Sequence, residues 1–118
     1  MTAALQAMDL SFLRGKRVDQ ICIGLYQLQI RLSEEVCISI ERDFQHKNKG
    51  QATGQREELS SRGATLISLL GKTVERVVME NEKSVTIQFS NSELLTIFVE
   101  GGAYESLTVT APGINIVA

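Results

Sequence analysis

The sequence predicts an α+β fold that is mostly β. Two pseudo-symmetric three-stranded antiparallel meanders are expected to pack together, with a short helix and a C-terminal hairpin at the ends. Three observations predict it: an internal repeat, strict alternation of apolar and polar residues, and polar or glycine-containing turns between the alternating runs.

The internal repeat joins residues 14–41 to residues 70–100. Gly15 and Gly71 open the two copies, and each is followed by Lys, one variable residue and Val. Two copies of this length are too few for a solenoid and indicate a duplicated supersecondary unit. The chain of 118 residues is therefore interpreted as one domain, 1–118, with a polar insert at 42–62 between the copies.

Alternation identifies the strands within each copy. Residues 28–32 and 85–89 place apolar side chains at every second position, as expected for strands with one buried face. After a polar turn, residues 36–40 resume the buried phase, and we match residues 95–99 to them. Each copy thus contains a hairpin, and Leu94 and Phe98 face outward from the second one.

Further elements flank the hairpins. Strands at 18–23 and 74–80 precede them and complete the meanders. A helix is predicted at 59–70 and a helical turn at 10–13, each ended by a glycine in the left-handed conformation. The insert 42–62 is interpreted as a mobile connection. Strands at 105–110 and 114–117 flank Pro112-Gly113, which suits a type II turn.

Composition excludes several classes of protein. The net charge of −2 does not favour nucleic acid, and the basic stretch 42–49 offers one aromatic residue for stacking. Cys22 and Cys37 are expected to be reduced thiols on neighbouring strands, because they and His46 are too few for a four-ligand zinc site. Without a basic leader or an apolar run of membrane-spanning length, we expect a cytoplasmic protein.

The sequence offers no set of residues for catalysis. Residues 48–54 are glycine-rich but lack the order of a phosphate-binding loop. His46 has no acid and nucleophile at a spacing that indicates a triad, so we expect it in a solvated loop. The interpretation is a non-enzymatic protein with no cofactor and no metal.

Candidate contacts with a partner are acidic or aromatic. Charged residues in turns are usually just solvated, but an acidic surface also speeds association with a basic partner. Tyr104 and Glu105 follow two glycines, and a tyrosine there supplies contact area with a hydrogen-bonding tip. The residues proposed for partner binding are Glu34, Glu35, Glu41, Asp43, Tyr104 and Glu105.

These motifs together resemble those of a small uncharacterised bacterial family, a domain of unknown function. Its pattern has a Gly-x-x-Val opening, a strand pair ending in Ile-Glu, an insert, a second Leu-Gly-x-x-Val copy and a late Tyr-Glu-x-Trp segment. Here Leu107 stands where the pattern has Trp. In size, acidity and lack of catalytic motifs the chain is also loosely similar to immunity proteins that neutralise bacterial toxins.

The resemblance leads to an expected function. We expect a monomeric or homodimeric immunity-type protein that neutralises a cognate toxin domain by direct binding. The alternative is a small-molecule or nucleotide-binding module with a pocket between the two repeats. A structural role in self-association, suggested by Leu94 and Phe98, and an enzyme are the remaining alternatives.

Overall fold

The computed structural model of the protein describes residues 9–41, 44–47, 56–57, 63–81, 83–99 and 107–117. Its strands are β1 (Val18–Ile23), β2 (Leu28–Leu32), β3 (Val36–Ile40), β4 (Phe44–Lys47), β5 (Arg56–Glu57), β6 (Val74–Asn81), β7 (Ser84–Phe89), β8 (Leu94–Phe98), β9 (Leu107–Ala111) and β10 (Ile114–Val117). A first 3-10 segment spans Ser11–Leu13 and a second spans Gly63–Leu69.

The strands form two five-stranded antiparallel sheets. Sheet A has the order β1-β2-β3-β9-β10, and sheet B has the order β5-β4-β8-β7-β6. Each sheet therefore combines the meander of one repeat with the following hairpin of the other repeat. This exchange of hairpins makes each repeat depend on its partner for completion of its sheet.

Four backbone hydrogen bonds join the two repeats about a pseudo-twofold axis. Gly15 N donates to Val74 O, and Gly71 N donates to Val18 O, both at 2.8 Å. Val18 N donates to Lys72 O at 2.8 Å, and Val74 N donates to Lys16 O at 2.9 Å. Every bond has its counterpart at the equivalent position of the other repeat, which fixes the alignment of the two openings.

Side chains follow the same symmetry. The backbone N–H of Arg17 donates to Ser33 Oγ at 3.0 Å, and that of Thr73 donates to Ser90 Oγ at 3.2 Å. In return Ser33 N donates to Arg17 O, and Ser90 N donates to Thr73 O. The serine after the second strand of each meander therefore closes the same turn in both repeats.

The prediction of two packed antiparallel meanders with a C-terminal hairpin is confirmed. The core consists of inward residues from both sheets together with Leu10, Leu13, Leu66 and Leu69 of the 3-10 segments. Leu94 and Phe98 face outward as predicted, and they line a depression on the outer face of sheet B. Pro112-Gly113 forms the predicted two-residue turn between β9 and β10, with Gly113 at φ 77°.

The helix predicted at 59–70 is wrong within the residues that the structure describes, where Gly63–Leu69 forms a 3-10 segment. Its side chains repeat with a period of three: Leu66 and Leu69 are buried, whereas the residues after them are exposed. Three residues per turn place positions i and i+3 on one side, so this pattern suits a 3-10 turn better than an α-helix. The predicted helical turn at 10–13 is likewise 3-10.

Two further predictions need correction. The insert 42–62 is not only a connection, because it contains β4 and β5, and β4 pairs with β8 inside sheet B. Cys22 and Cys37 are free thiols, but β2 separates the strands that carry them, so these strands are not neighbours. Within the described ranges, no helix is long and apolar enough to cross a membrane.

The left-handed glycines support a testable prediction. Gly71 has φ 81° and nothing within 4 Å of an added Cβ, so Gly71→Ala introduces backbone strain without a steric clash. We expect it to lower the free energy of unfolding by about 1–2 kcal/mol, the usual cost of a left-handed L-residue. Gly15→Ala should cost a similar amount, since Gly15 has φ 85° in an equivalent turn.

Urea denaturation at neutral pH measures this effect. Gly71→Asn is the matched control, because Asn tolerates the left-handed region and should recover part of the loss. Equal stabilities of Gly71→Ala and the wild type would contradict the prediction.

Candidate functional site

A buried polar cluster lies at one end of sheet B. His46 on β4 donates from Nε2 to Glu93 Oε1 at 2.7 Å, and both side chains are at least 95% buried. The other ring nitrogen, Nδ1, lies 3.1 Å from Thr65 Oγ1. Ser68 Oγ donates to Glu93 Oε1 at 2.6 Å, and Asn91 Nδ2 donates to Glu93 Oε2. These five residues are called the polar cluster.

The hydrogen bonds keep Glu93 ionised. Burial raises the pKa of the Glu93 carboxyl, but hydrogen bonds donated by Ser68, Asn91 and His46 outweigh burial, and the pKa lies below its ordinary value. Nε2 of His46 donates to this carboxylate, and Nδ1 lies within hydrogen-bond distance of the Thr65 hydroxyl. The cluster satisfies its buried polar atoms and reaches the surface at Thr65 and Ser68, both exposed.

The strand registers identify the counterpart of Glu93 in the other repeat. Leu32 and Phe89 are equivalent positions, because each pairs with the opening valine of its own meander. In sheet A, Leu32 lies opposite Val36, and in sheet B the backbone N–H of Phe89 donates to Glu93 O. Glu93 is therefore equivalent to Val36. The predicted match of residues 95–99 to residues 36–40 is displaced by two residues.

The same reasoning identifies the counterpart of His46. Ile38 on β3 pairs with Val109 on β9, and the equivalent Leu95 on β8 pairs with His46 on β4. His46 is therefore equivalent to Val109. The hairpins that the repeats exchange thus carry a buried valine in one sheet and a buried histidine in the other.

A third substitution lies in the 3-10 segments. Ser68 stands three residues before Gly71, as Phe12 stands three residues before Gly15. Phe12 packs against the hydrophobic core, whereas Ser68 donates to Glu93. Three apolar residues of one repeat junction are thus replaced by serine, glutamate and histidine at the other.

This asymmetry shows that the fold itself does not require the polar cluster. The same chain builds the equivalent site from Phe12, Val36 and Val109, and replacing buried polar or charged pairs by apolar residues of similar volume is often neutral or stabilising. The sequence prediction that His46 occupies a solvated loop is wrong. Aligning the two repeats at the ends of β2 and β7 would have matched Glu93 to a valine at a buried position. That alignment would have identified Glu93 as a charged residue where the other repeat has an apolar one.

The order hydroxyl, imidazole, carboxylate in Thr65, His46 and Glu93 is that of an acyl-transfer triad. Here, however, Ser68 and Asn91 also bond the carboxylate, and the imidazole is enclosed by the core. The depressions at the junction of the repeats include neither Thr65 nor His46. What this geometry does is tie β4, the β7–β8 turn and the second 3-10 segment together.

The residues predicted to bind a partner are not all close to one another. Glu34 and Glu35 lie in the β2–β3 turn, and Lys16 Nζ contacts Glu34 Oε2 at 2.9 Å. Glu41 follows β3 at the opposite end of the same ladder, about 20 Å from Glu35 at the usual rise per strand residue. Asp43, Tyr104 and Glu105 lie outside the described residues.

The turn that carries Glu34 and Glu35 has an unusual backbone. Both residues have φ 62°, in the left-handed region of backbone conformation that residues other than Gly and Asn seldom adopt. Ser92, in the equivalent turn of sheet B, has φ 70°. The turn therefore holds two adjacent exposed carboxylates in a defined conformation at the far end of sheet A.

The described carboxylates do not form a metal site. In the part of the chain that the structure describes, no group of three or more His, Cys, Asp and Glu residues is arranged to hold a metal ion.

Acid titration tests the role of Glu93. Because its folded-state pKa lies below the unfolded value, ionised Glu93 stabilises the fold above the ordinary carboxyl range, and this contribution is lost as pH falls through the folded-state pKa. We expect the difference in free energy of unfolding between wild type and Glu93→Gln to be greatest at neutral pH and to shrink towards pH 3. Glu41→Gln, which alters an exposed carboxylate, serves as control; a difference independent of pH would contradict the assignment.

A double-mutant cycle tests the equivalence with the apolar site. His46→Val alone leaves the buried Glu93 carboxylate without its histidine partner and should cost about 3–5 kcal/mol, whereas His46→Val with Glu93→Val should cost less than either single change. Urea denaturation at neutral pH provides the four free energies. Additive losses would show that the two side chains act independently.

Comparisons with protein-family models, with curated proteins and with solved structures return no match to this chain. The resemblance to a small bacterial family therefore stays a prediction.

Proposed function

We propose that this protein is a binding protein of the immunity type, which neutralises a toxin domain by covering it. The observation that supports the proposal is an exposed apolar surface at the β1 edge of sheet A. Seven large apolar side chains are exposed among the described residues, and five of them lie along β1: Ile23, Leu25 and Tyr26 at its tip end, and Ile67 and Leu70 on the 3-10 segment that packs against it. These five are called the apolar surface.

The hairpin tip between β1 and β2 is the most exposed part of this surface. Leu25 is 71% exposed and Tyr26 is 82% exposed. Gly24 N donates to Gln27 O at 2.8 Å, which closes the tip. A tyrosine with an apolar neighbour on an ordered hairpin combines contact area with little loss of conformational entropy on binding, which is typical of interface hot spots.

The second 3-10 segment supplies the other two residues of the apolar surface. Ile67 and Leu70 are three residues apart, so they lie on one side of the segment, and this segment packs against β1. At the equivalent site beside β6, Ser11 and Arg14 take their places and line a depression with Val77 and Met79. The repeat symmetry thus places Ile67 and Leu70 on the apolar edge beside β1, whereas the equivalent edge beside β6 carries a hydroxyl and a guanidinium.

Charge adds specificity beside the tip. Ile40 pairs with Leu28, so exposed Glu41 lies near the β1–β2 tip, whereas Glu34 and Glu35 lie at the other end of the ladder. An apolar centre with a carboxylate beside it fits a basic protein domain, because complementary charge speeds association and excludes other partners. The proposed partner is therefore a toxin domain with a positively charged surface around an apolar pocket.

Affinity capture with matched variants tests this function. The immobilised protein and its Leu25→Ser/Tyr26→Ser variant are exposed to lysate of the source organism at moderate salt. Ile114→Ser, at the start of β10, serves as control. We expect one basic protein to be retained by wild type and control but lost with the tip variant. With that protein purified, calorimetry should show at least a hundredfold weaker binding for the tip variant, equivalent to about 2.7 kcal/mol.

Other outcomes exclude the proposal. Equal capture by the tip variant would exclude the apolar surface as the interface. Concentration-dependent dimerisation that the tip variant abolishes would assign the surface to a second copy of this chain. Loss of binding on Glu34→Lys/Glu35→Lys, with Glu41→Lys unaffected, would move the interface to the other end of sheet A.

A second candidate function is a small-molecule or nucleotide-binding module. The observation that favours it is an open depression at the junction of the repeats, where Gly15 and Val74 meet and where Arg14 and Arg76 supply two cations. Thermal stabilisation by a nucleotide, lost in Arg14→Ala, would support this alternative.

A further inference from the structure

We propose that the buried His46–Glu93 pair is a positioning device for the second 3-10 segment, which holds Ile67 and Leu70 in the orientation that partner binding needs. The positioning stands on the geometry of the polar cluster, and its consequence for binding rests on the proposed function.

The second 3-10 segment presents three different sides. Three residues per turn place Leu66 with Leu69 and Thr65 with Ser68, as well as Ile67 with Leu70. The leucines are buried in the core, and Ile67 and Leu70 are 53% and 43% exposed. The third side faces the pair, since Thr65 Oγ1 lies 3.1 Å from His46 Nδ1 and Ser68 Oγ lies 2.6 Å from Glu93 Oε1. The hydrogen-bonding side and the apolar surface are therefore adjacent sides of one short segment.

The counterpart in the first repeat shows what the pair adds. The first 3-10 segment is held there by Phe12, whose contacts with the core are not directional. Hydrogen bonds fix both distance and angle, so two of them, one turn apart, set the rotation of a 3-10 segment about its axis. The repeat that uses them is the repeat whose segment exposes Ile67 and Leu70; the other exposes Ser11 and Arg14.

The polar cluster also connects three parts of the chain. His46 lies on the hairpin that the first repeat exchanges, Glu93 lies in the β7–β8 turn, and Thr65 and Ser68 lie in the segment. Within the described side chains, His46 and Glu93 are the titratable groups of the cluster. Around this pair, the 3-10 segment contributes hydroxyl groups and the β7–β8 turn contributes the side-chain amide of Asn91. Leu95 on β8 pairs with His46, and Lys47 lies on the outer face of sheet B.

Hydrogen exchange tests the positioning without any partner. His46→Val with Glu93→Val copies the apolar solution of the first repeat and removes the bonds to Thr65 and Ser68. The amides of Leu70 and Lys72, which donate to Ile67 O and Leu69 O, report on the segment. We expect them to exchange at least about tenfold faster, while Ile87 in the β7 ladder stays protected. Unchanged exchange at Leu70 and Lys72 would overturn the proposal.

Two further variants keep the test decisive. Thr65→Val with Ser68→Ala leaves the His46–Glu93 hydrogen bond intact and should loosen the segment equally. This variant covers the case in which the double valine variant does not fold. His46→Gln with Glu93→Gln retains donors and acceptors without charge and should restore part of the protection. A purely structural role predicts changes at Ile87 as large as those at Leu70.

The binding consequence is measured separately. With the partner retained by affinity capture, Thr65→Val with Ser68→Ala should weaken binding about tenfold, mainly through faster dissociation. If exchange accelerates but the wild type retains no partner, the proposed function fails and the positioning stands. If exchange is unchanged and the tip variant loses binding, the positioning fails and the proposed function stands.

Discussion

The reciprocal hydrogen bonds between the two repeat openings are the constraint on which the rest of the structure depends. Gly15 and Gly71 each turn the chain so that the residues after them bond the opposite repeat. The first strand of one meander is thereby anchored beside the first strand of the other, which places the apolar faces of both sheets together. Each 3-10 segment, fixed by its own glycine turn, then covers the end of the core beside the neighbouring repeat's first strand.

The exchange of hairpins follows from the same arrangement. A chain that leaves the third strand of one meander finds the open edge of the other sheet, and both repeats use this solution. The consequence is interdependence, because neither sheet is complete without residues of both repeats. A residue on an exchanged strand, such as His46, therefore contacts elements that are far away in the sequence.

The sequence predicted most of this architecture and little of the site. Apolar and polar residues alternate over 28–32 and 85–89. This local pattern agrees with the tertiary structure, so these strands and their hairpins were predictable. The strand β4 was not, since four residues between polar stretches give a weak pattern, and the partner of His46 lies 47 residues away. The two-residue error in matching the third strands arose because Leu95, Ile97 and Val99 alternate equally well in either alignment.

Duplication explains how a small β protein can contain a buried histidine–glutamate pair that its fold does not require. Both junctions of the repeats need a filled interior, and Phe12, Val36 and Val109 show that apolar side chains suffice. The other junction uses residues that bury charge and require complete hydrogen bonding, an arrangement that fixes side-chain geometry where apolar packing would not. What it adds here is a fixed orientation for one short segment, at the junction where that segment turns apolar side chains to the solvent. The departure from symmetry, rather than any motif, is therefore the feature on which the proposed role in recognition rests.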